Sequence, residues 1–433
     1  MLFRPPPQKA VPLLASRTVT QMPLPEERQF SLYDAEHRAL TDLRTLALDP
    51  RLQVLGTGPC AAWAELRGAD GRLVAAGWGK GERDAARTGA LYESLEHFLA
   101  RRHAADDAVV RPVDDLLARM APGTPDALPG AILLDQLEET LACRPYADLA
   151  GGAGFDYPLA LVAPEYLDAP LPGDSFDYTA LRRYASNSGT AIGASVSEAT
   201  LHALNECIER DAISLFLLRH FFYAAPAPLH VASPEDLPAD LADLHWRVAR
   251  SIDADVTLLD ISNGTGVTTC LAVAHQLYPH VRPYGAGASL NPAHAARRAL
   301  SELLQSHLGL ACDADALVAA RTPCPVTAGR MQAWPRLRAC LAMDIEQRLD
   351  TQVLLPAVIN EAPAGEVEAQ VRQITAALAA GGLRAGLNVI HRTPLGTALV
   401  NVVVPEFERF YLVTIGNIVA PGLRGRALAP AAA

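Results

Sequence analysis

The chain has 433 residues, half of them apolar and a fifth charged, which is the composition of a globular protein large enough for one big or two ordinary domains. A formal net charge of −11 argues against nucleic acid as the main partner, since neutralising phosphates takes clustered Lys and Arg. Seven cysteines with no C-x-x-C spacing indicate neither a disulfide framework nor a zinc site and fit a reducing cytoplasm, and no apolar run reaches membrane-spanning length.

Residues 1–30 are rich in proline (Pro5, Pro6, Pro7, Pro12, Pro23, Pro25) and are expected to form an extended arm. The spacing of Leu32, Ala35, Ala39, Leu43 and Leu46 predicts a helix over 31–48. Strands are expected at Cys60–Arg67 and Arg72–Trp78, joined by the turn signal Ala69-Asp70-Gly71. The second runs into Gly79-Lys80-Gly81 and then a helix over about 84–102. Lys80 between glycines can reach a phosphate, although the stretch is not a Walker loop and a bare G-K-G is ordinarily a surface turn.

Residues 104–152 read as irregular with one short helical patch, and Tyr157–Ala163 as a strand. A small polar loop, Ser186 to Gly193, leads into a helix opened by the capping-box pattern Ser195-x-x-Glu198 and continuing to about 222. Next come a helix near 236–251 and buried strands at Asp255–Ile261 and Val267–Ala274. Gly285-Ala286-Gly287-Ala288 then approaches a helix whose start is marked by Asn291-Pro292. The last 120 or so residues predict helices at 332–349 and 365–380, strands at 352–359, 384–390, 398–404 and 410–416, and a loose end from 422. The mixture indicates an α/β (mixed α+β) fold with helices on a large mixed sheet.

Three of these helices repeat one pattern, A-L-x-E-x-(L/I)-(E/Q), beginning at Ala90, Ala203 and Ala299. Residues three apart share a helix face, so Glu93/Glu96, Glu206/Glu209 and Glu302/Gln305 each project together beside an apolar stripe. A single E-x-x-E is usually a solvated face, and duplicated scaffolding with exposed acids is the bland alternative. Carboxylates gathered in one place need cations among them, and oxygen donors with no His or Cys favour a hard ion such as Mg²⁺, which keeps positions for substrate phosphates. The repeat therefore points to a metal–nucleotide site. Arg298, four residues before Glu302, is either a surface ion pair or a phosphate clamp.

The stretches Ser186-Asn187-Ser188-Gly189 with Glu206 to Ala212, Gly79-Lys80-Gly81 with Glu93-x-x-Glu96, and Gly285-x-Gly287 with Arg298-Ala299-Leu300-x-Glu302-x-x-Gln305 resemble the signature motifs of the YcaO family, in the family's order and over about residues 55–420. The resemblance implies a YcaO-like ATP-binding catalytic domain over 51–420, after an arm and short helix (1–50) and before a loose tail (421–433). It implies an enzyme that uses ATP and Mg²⁺ to activate a peptide backbone amide in ribosomal-peptide maturation, most readily azoline-forming cyclodehydration of Cys, Ser or Thr. Thioamide or amidine formation by the same activation, or an ATP-binding accessory role in ribosomal-protein methylthiolation, are the alternatives it leaves.

By that resemblance Glu93, Glu96, Glu206, Glu209 and Glu302 hold Mg²⁺. Lys80, Arg210 and Arg298 face the phosphates as catalytic groups, and Ser186, Asn187 and Gln305 complete the ATP site. The chain departs from the family at Gly89, where a Ser is usual, at His97, where Arg is usual, and at its end, which lacks alternating prolines. The short proline-rich N-terminal region implies that a separate leader-binding protein delivers the precursor peptide; a homodimer would be ordinary for the family, with no nucleic acid or membrane partner.

Overall fold

The computed structural model describes residues 24–120, 128–275, 283–312, 329, 331–362 and 365–430. Most of the expected N-terminal arm (1–23), Cys324 and the last three residues lie outside them. The chain opens with α1 (Leu32–Thr45), whose N-cap Ser31 accepts from the Asp34 N–H. An antiparallel sheet follows: β1 (Asp49–Leu55), β2 (Cys60–Arg67) and β3 (Leu73–Gly81). Then come α2 (Arg83–Arg102), β4 (Val109–Pro112), α3 (Val113–Arg119), α4 (Leu128–Leu134), β5 (Thr140–Asp148), β6 (Phe155–Pro158) and α5 (Leu159–Val162).

The middle of the chain supplies β7 (Thr190–Gly193), α6 (Val196–Leu217), β8 (Leu229–Ala232), α7 (Ala239–Ile252), β9 (Val256–Asp260), β10 (Thr268–Ala274), β11 (Tyr284–Ser289) and α8 (Pro292–Cys312). The remainder is α9 (Pro335–Ala342), α10 (Ile345–Thr351), β12 (Leu354–Pro356), α11 (Val367–Ala380), β13 (Gly386–Arg392), β14 (Ala398–Val403) and α12 (Leu423–Arg426). Two further sheets result, ordered β11-β10-β9-β8-β12 and β4-β5-β13-β14-β7, with β6 paired to β5. All their pairings are antiparallel except β12 with β8.

Three strand–helix units carry the repeated motif: β3–α2, β7–α6 and β11–α8. In each, the helix follows its strand almost at once and lies back on the same sheet. The motif's Ala-Leu pairs are the contact: Ala90, Leu91, Ala203, Leu204, Ala299 and Leu300 are all fully buried. Alanine lets the helix come close, and the strands meet it with glycine. A Cβ on Gly79 would stand 1.8 Å from the Ala86 carbonyl oxygen, and one on Gly285 2.1 Å from that of Ala299. Both would collide with helix backbone, which cannot swing aside as a side chain can. α6 is buried on nearly all sides, set against β7, β14, β11 and α11, so two of the three sheets converge on it.

Several sequence expectations are corrected. The segment 104–152 is not irregular: it holds α3, α4 and the long strand β5. The expected strand at 157–163 stops at Pro158 and turns helical. The helix expected at 332–349 breaks at Met343, which is left-handed (φ 41°), and restarts under Asp344, whose carboxylate caps the Gln347 N–H. Residues 410–416 form no strand but a 3₁₀ turn, Phe410–Ile415, with Phe410 to Val413 all buried; a short apolar run carries no period to separate the two. The tail is not loose before residue 430, since Glu408 accepts the Gly422 and Gly425 N–H groups (2.8 and 2.7 Å) and holds α12 down.

Substituting Gly79→Ala or Gly285→Ala is expected to lower unfolding stability by about 2–3 kcal/mol or to prevent folding. Gly71→Ala, at a turn with nothing within 4 Å of the added carbon, should cost about 1 kcal/mol through its positive φ alone. Urea unfolding of the three variants checks the ranking.

Candidate nucleotide and metal site

The acidic residues of the three units face one another. Lys80, on β3, forms an ion pair with Glu302 on α8, which ties the first unit to the third. The two side chains are about a quarter exposed, so the pair is partly open to solvent rather than sealed in the core. Arg210, one turn past Glu206 on α6, lies 3.7 Å from the Glu206 carboxylate and 3.9 Å from that of Glu209. These are ion-pair separations too long for hydrogen bonds, so the guanidinium has donors to spare. Glu96 accepts the Ile192 N–H of β7 (3.0 Å) and Glu206 the Gly189 N–H (3.4 Å), so backbone amides aim the first two motifs at each other.

The electrostatics show how closely the groups are gathered. Burial raises Glu96, and the neighbouring charges of Glu93 and Glu206 raise it further. Burial also raises Glu93 and Glu206, with Glu302 adding to both against the pull of His97 and Lys80 on the first and Arg210 on the second. Glu209 is pushed up to about 7 by burial and by Glu302, although Arg210, Arg298 and Lys80 oppose the rise. Glu302 alone falls: burial would raise it, but Lys80, Arg210 and Arg298 together outweigh that. The third motif thus holds the settled anion, and the others are short of positive charge.

That shortage is the fit test for a divalent cation. The donors are carboxylate oxygens from three helices, hard ligands of the kind Mg²⁺ takes. Among the described residues no three His, Cys, Asp or Glu side chains stand ready-made around one ion, while Lys80 is paired with Glu302 and Arg210 lies beside Glu206 and Glu209. Arg298 completes the set of cations. It sits one turn before Glu302 on α8, and its Nε is buried with no hydrogen-bond partner among the described residues. The side chain as a whole is half-buried, and that unpaired Nε leaves it a donor to offer. The residues present suit a hard cation bound together with a polyanion.

Of the other expected residues, Ser186 belongs to this neighbourhood: its Oγ accepts from the Ser188 N–H (3.0 Å) and from the Tyr411 hydroxyl (2.6 Å). Gln305 is half-buried one turn beyond Glu302, and Asn187 is exposed in the loop, with its carbonyl accepting the Thr190 N–H. His97, a departure from the family pattern, is fixed by its Nδ1 on the Ala76 carbonyl (2.7 Å).

Sequence reading missed the strap at residues 26–29, which it assigned to the extended arm. Glu27 is buried and accepts from Asn205 Nδ2 (3.2 Å) and Ser289 Oγ (2.7 Å), while His294 pairs with both Glu26 and Glu27. The strap bridges α6 and α8, and beneath it His202 Nδ1 and Asn205 Oδ1 are buried without partners among the described residues. His202 and Asn205 each lie four residues before a motif glutamate, which is the one signal that could have found them.

A model of the family described as YcaO cyclodehydratase, ATP- and Mg²⁺-binding, matches residues 78–408. An uncharacterised protein of Methanothermobacter thermautotrophicus is 31% identical over 238 residues, covering 53% of this chain and 56% of the relative. The chain thus spans little more than half the length of that curated relative. Among solved structures, the YcaO protein of Methanopyrus kandleri bound with AMPPCP and Mg²⁺ superposes with a TM-score of 0.63 at 18% identity, covering 91% of this chain and 95% of that one. A heterocyclase in complex with substrate and cofactor gives 0.65 at 17% identity, covering 97% of this chain and 58% of the other. At these identities the likeness is one of fold.

Glu209 supplies a pH test. Its folded pKa lies above the ordinary value, so the stability it contributes is complete below about 4.5 and is lost as pH rises through about 7. Thermal melts of the metal-free protein should fall across that window. Glu209→Gln is expected to flatten the fall and to be more stable at pH 8, by on the order of 1–3 kcal/mol. A variant that is less stable than wild type at pH 8 would contradict the assignment.

Proposed function

The chain belongs to the YcaO family, and from that premise we propose that it uses ATP and Mg²⁺ to activate a peptide backbone amide. The observation that carries the proposal is the convergence of Glu93/Glu96, Glu206/Glu209 and Glu302 from three separate helices around Lys80, Arg210 and Arg298. Mg²⁺ held by those glutamates would neutralise charge on the terminal phosphates. Lys80 and Arg210, now paired with Glu302, Glu206 and Glu209, would turn to the phosphate oxygens, and Arg298 would add its unpaired Nε. Ser186, Asn187 and Gln305 complete the nucleotide site in this reading.

The chemistry asks the protein for position and charge rather than for a covalent intermediate. The γ-phosphoryl group passes to the amide oxygen and ADP leaves. A neighbouring Cys, Ser or Thr side chain adds to the amide carbon, losing its proton. The original oxygen then departs as phosphate, leaving an azoline ring. A sulfide or amine nucleophile in the same step would give a thioamide or an amidine. We take the substrate to be a precursor peptide brought by a separate leader-binding protein, the work being done in the cytoplasm.

Glu206→Gln should abolish peptide-stimulated phosphate release, while wild type releases phosphate only with both peptide and Mg²⁺ present. Mass spectrometry of the peptide reads the product: loss of water marks the azoline, and oxygen-for-sulfur exchange the thioamide. Turnover that survives Glu206→Gln rules out the metal assignment, and an unchanged peptide under conditions of ATP turnover rules out amide activation in favour of an accessory role.

A further inference from the structure

Arg210 needs something other than its carboxylates to hold it in place. If Lys80 and Arg210 exchange glutamate partners for phosphates, the guanidinium must stay aimed while its ionic contacts change. Those contacts are loose already, at 3.7 and 3.9 Å, and the side chain is about a quarter exposed. Its remaining contact is aromatic. The guanidinium carbon sits over the Tyr411 ring, 5.5 Å from its centroid, within cation–π range. An aromatic face supports a planar guanidinium without competing for the ion's charge or using its N–H donors.

The other end of Tyr411 touches the site as well. Its hydroxyl donates to Ser186 Oγ at 2.6 Å, and the ring is 7% exposed. The backbone of Tyr411 is fixed from α6: its N–H donates to Ser214 Oγ (2.8 Å), whose hydroxyl lies 2.7 Å from the Arg210 carbonyl and 3.2 Å from that of Glu408. The residue after Arg210 fastens the same segment. Asp211 is fully buried, accepts the Glu408 N–H (2.9 Å) through one oxygen and takes Asn263 Nδ2 (2.5 Å) and Arg424 (2.7 Å) on the other. Two consecutive residues of α6 therefore divide the work: Asp211 anchors the 408–424 segment, and Arg210 rests on the ring which that segment presents.

Building on the nucleotide-site reading above, we propose that Tyr411 is a positioning residue, its ring holding the Arg210 guanidinium and its hydroxyl the Ser186 side chain. The residue lies in the 3₁₀ turn Phe410–Ile415.

Two variants separate the roles, with binding of Mg–ATP and peptide-stimulated phosphate release measured alongside thermal melts. Tyr411→Phe keeps the ring and loses the hydroxyl, and is expected to raise KM for ATP about threefold to tenfold at unchanged kcat. Tyr411→Met fills similar space without an aromatic face, and is expected to lower kcat roughly threefold to thirtyfold as well. A KM in Tyr411→Phe within twofold of wild type overturns the Ser186 contact, and a folded Tyr411→Met with wild-type kcat overturns the Arg210 contact. Should Tyr411→Met not fold, Tyr411→Trp takes its place: it restores an aromatic face without the hydroxyl, so loss of kcat there overturns the ring's role and a retained kcat supports it. Wild type that binds no Mg–ATP brings down the nucleotide-site reading itself, whereas wild type that binds beside unaltered variants brings down only the role of Tyr411.

Discussion

Five carboxyl groups drawn together from three helices cannot all be ionised without cations among them. In the ligand-free chain that need falls on Lys80 and Arg210. Lys80 settles Glu302, which leaves Glu209 and Glu96 still under pressure from their neighbours. The arrangement carries an electrostatic cost within the protein that a divalent cation and a triphosphate together relieve. A nucleotide alone would face the carboxylates, and a divalent cation removes that repulsion; the two ligands carry opposite charge, so each favours binding of the other.

Holding such a cluster together takes a rigid frame, because mutual repulsion favours spreading. The frame is the thrice-used unit of a strand running directly into a helix that lies back upon it. Fully buried alanine on the helix and glycine on the strand bring the two backbones close enough that neither can shift without collision. The Lys80–Glu302 pair then joins the outer units, and the strap at residues 26–29 binds α6 to α8 through Glu27 and His294.

The motif was legible in the sequence because helical periodicity, a repeated Ala-Leu and repeated acids are all local signals. The cap at Ser195 was legible for the same reason: its Oγ accepts the Glu198 N–H at 3.1 Å. Glu198 itself turns to Ala194 and to Gln29 rather than closing the usual reciprocal box, since a distant strap supplies a donor no sequence window contains. Tyr411 and Glu27 were invisible for that reason too. Each touches the site through partners some 200 residues away, in segments whose own composition reads as a strand and as an arm. β5 escapes a reading by periodicity because Arg144, Pro145 and Asp148 interrupt its apolar run, although Arg144 is buried and donates to the Ala104 carbonyl (2.8 Å).

On the proposed function, magnesium and nucleotide would displace Lys80 and Arg210 from the glutamates. The most direct test is a crystal structure of the chain with Mn²⁺ and a non-hydrolysable ATP analogue, with data collected to locate the manganese by anomalous scattering. Manganese is expected on carboxylates of Glu93, Glu96, Glu206 or Glu209, with Lys80 released from Glu302 onto a phosphate. Manganese bound elsewhere, or an intact Lys80–Glu302 pair beside bound nucleotide, would contradict it.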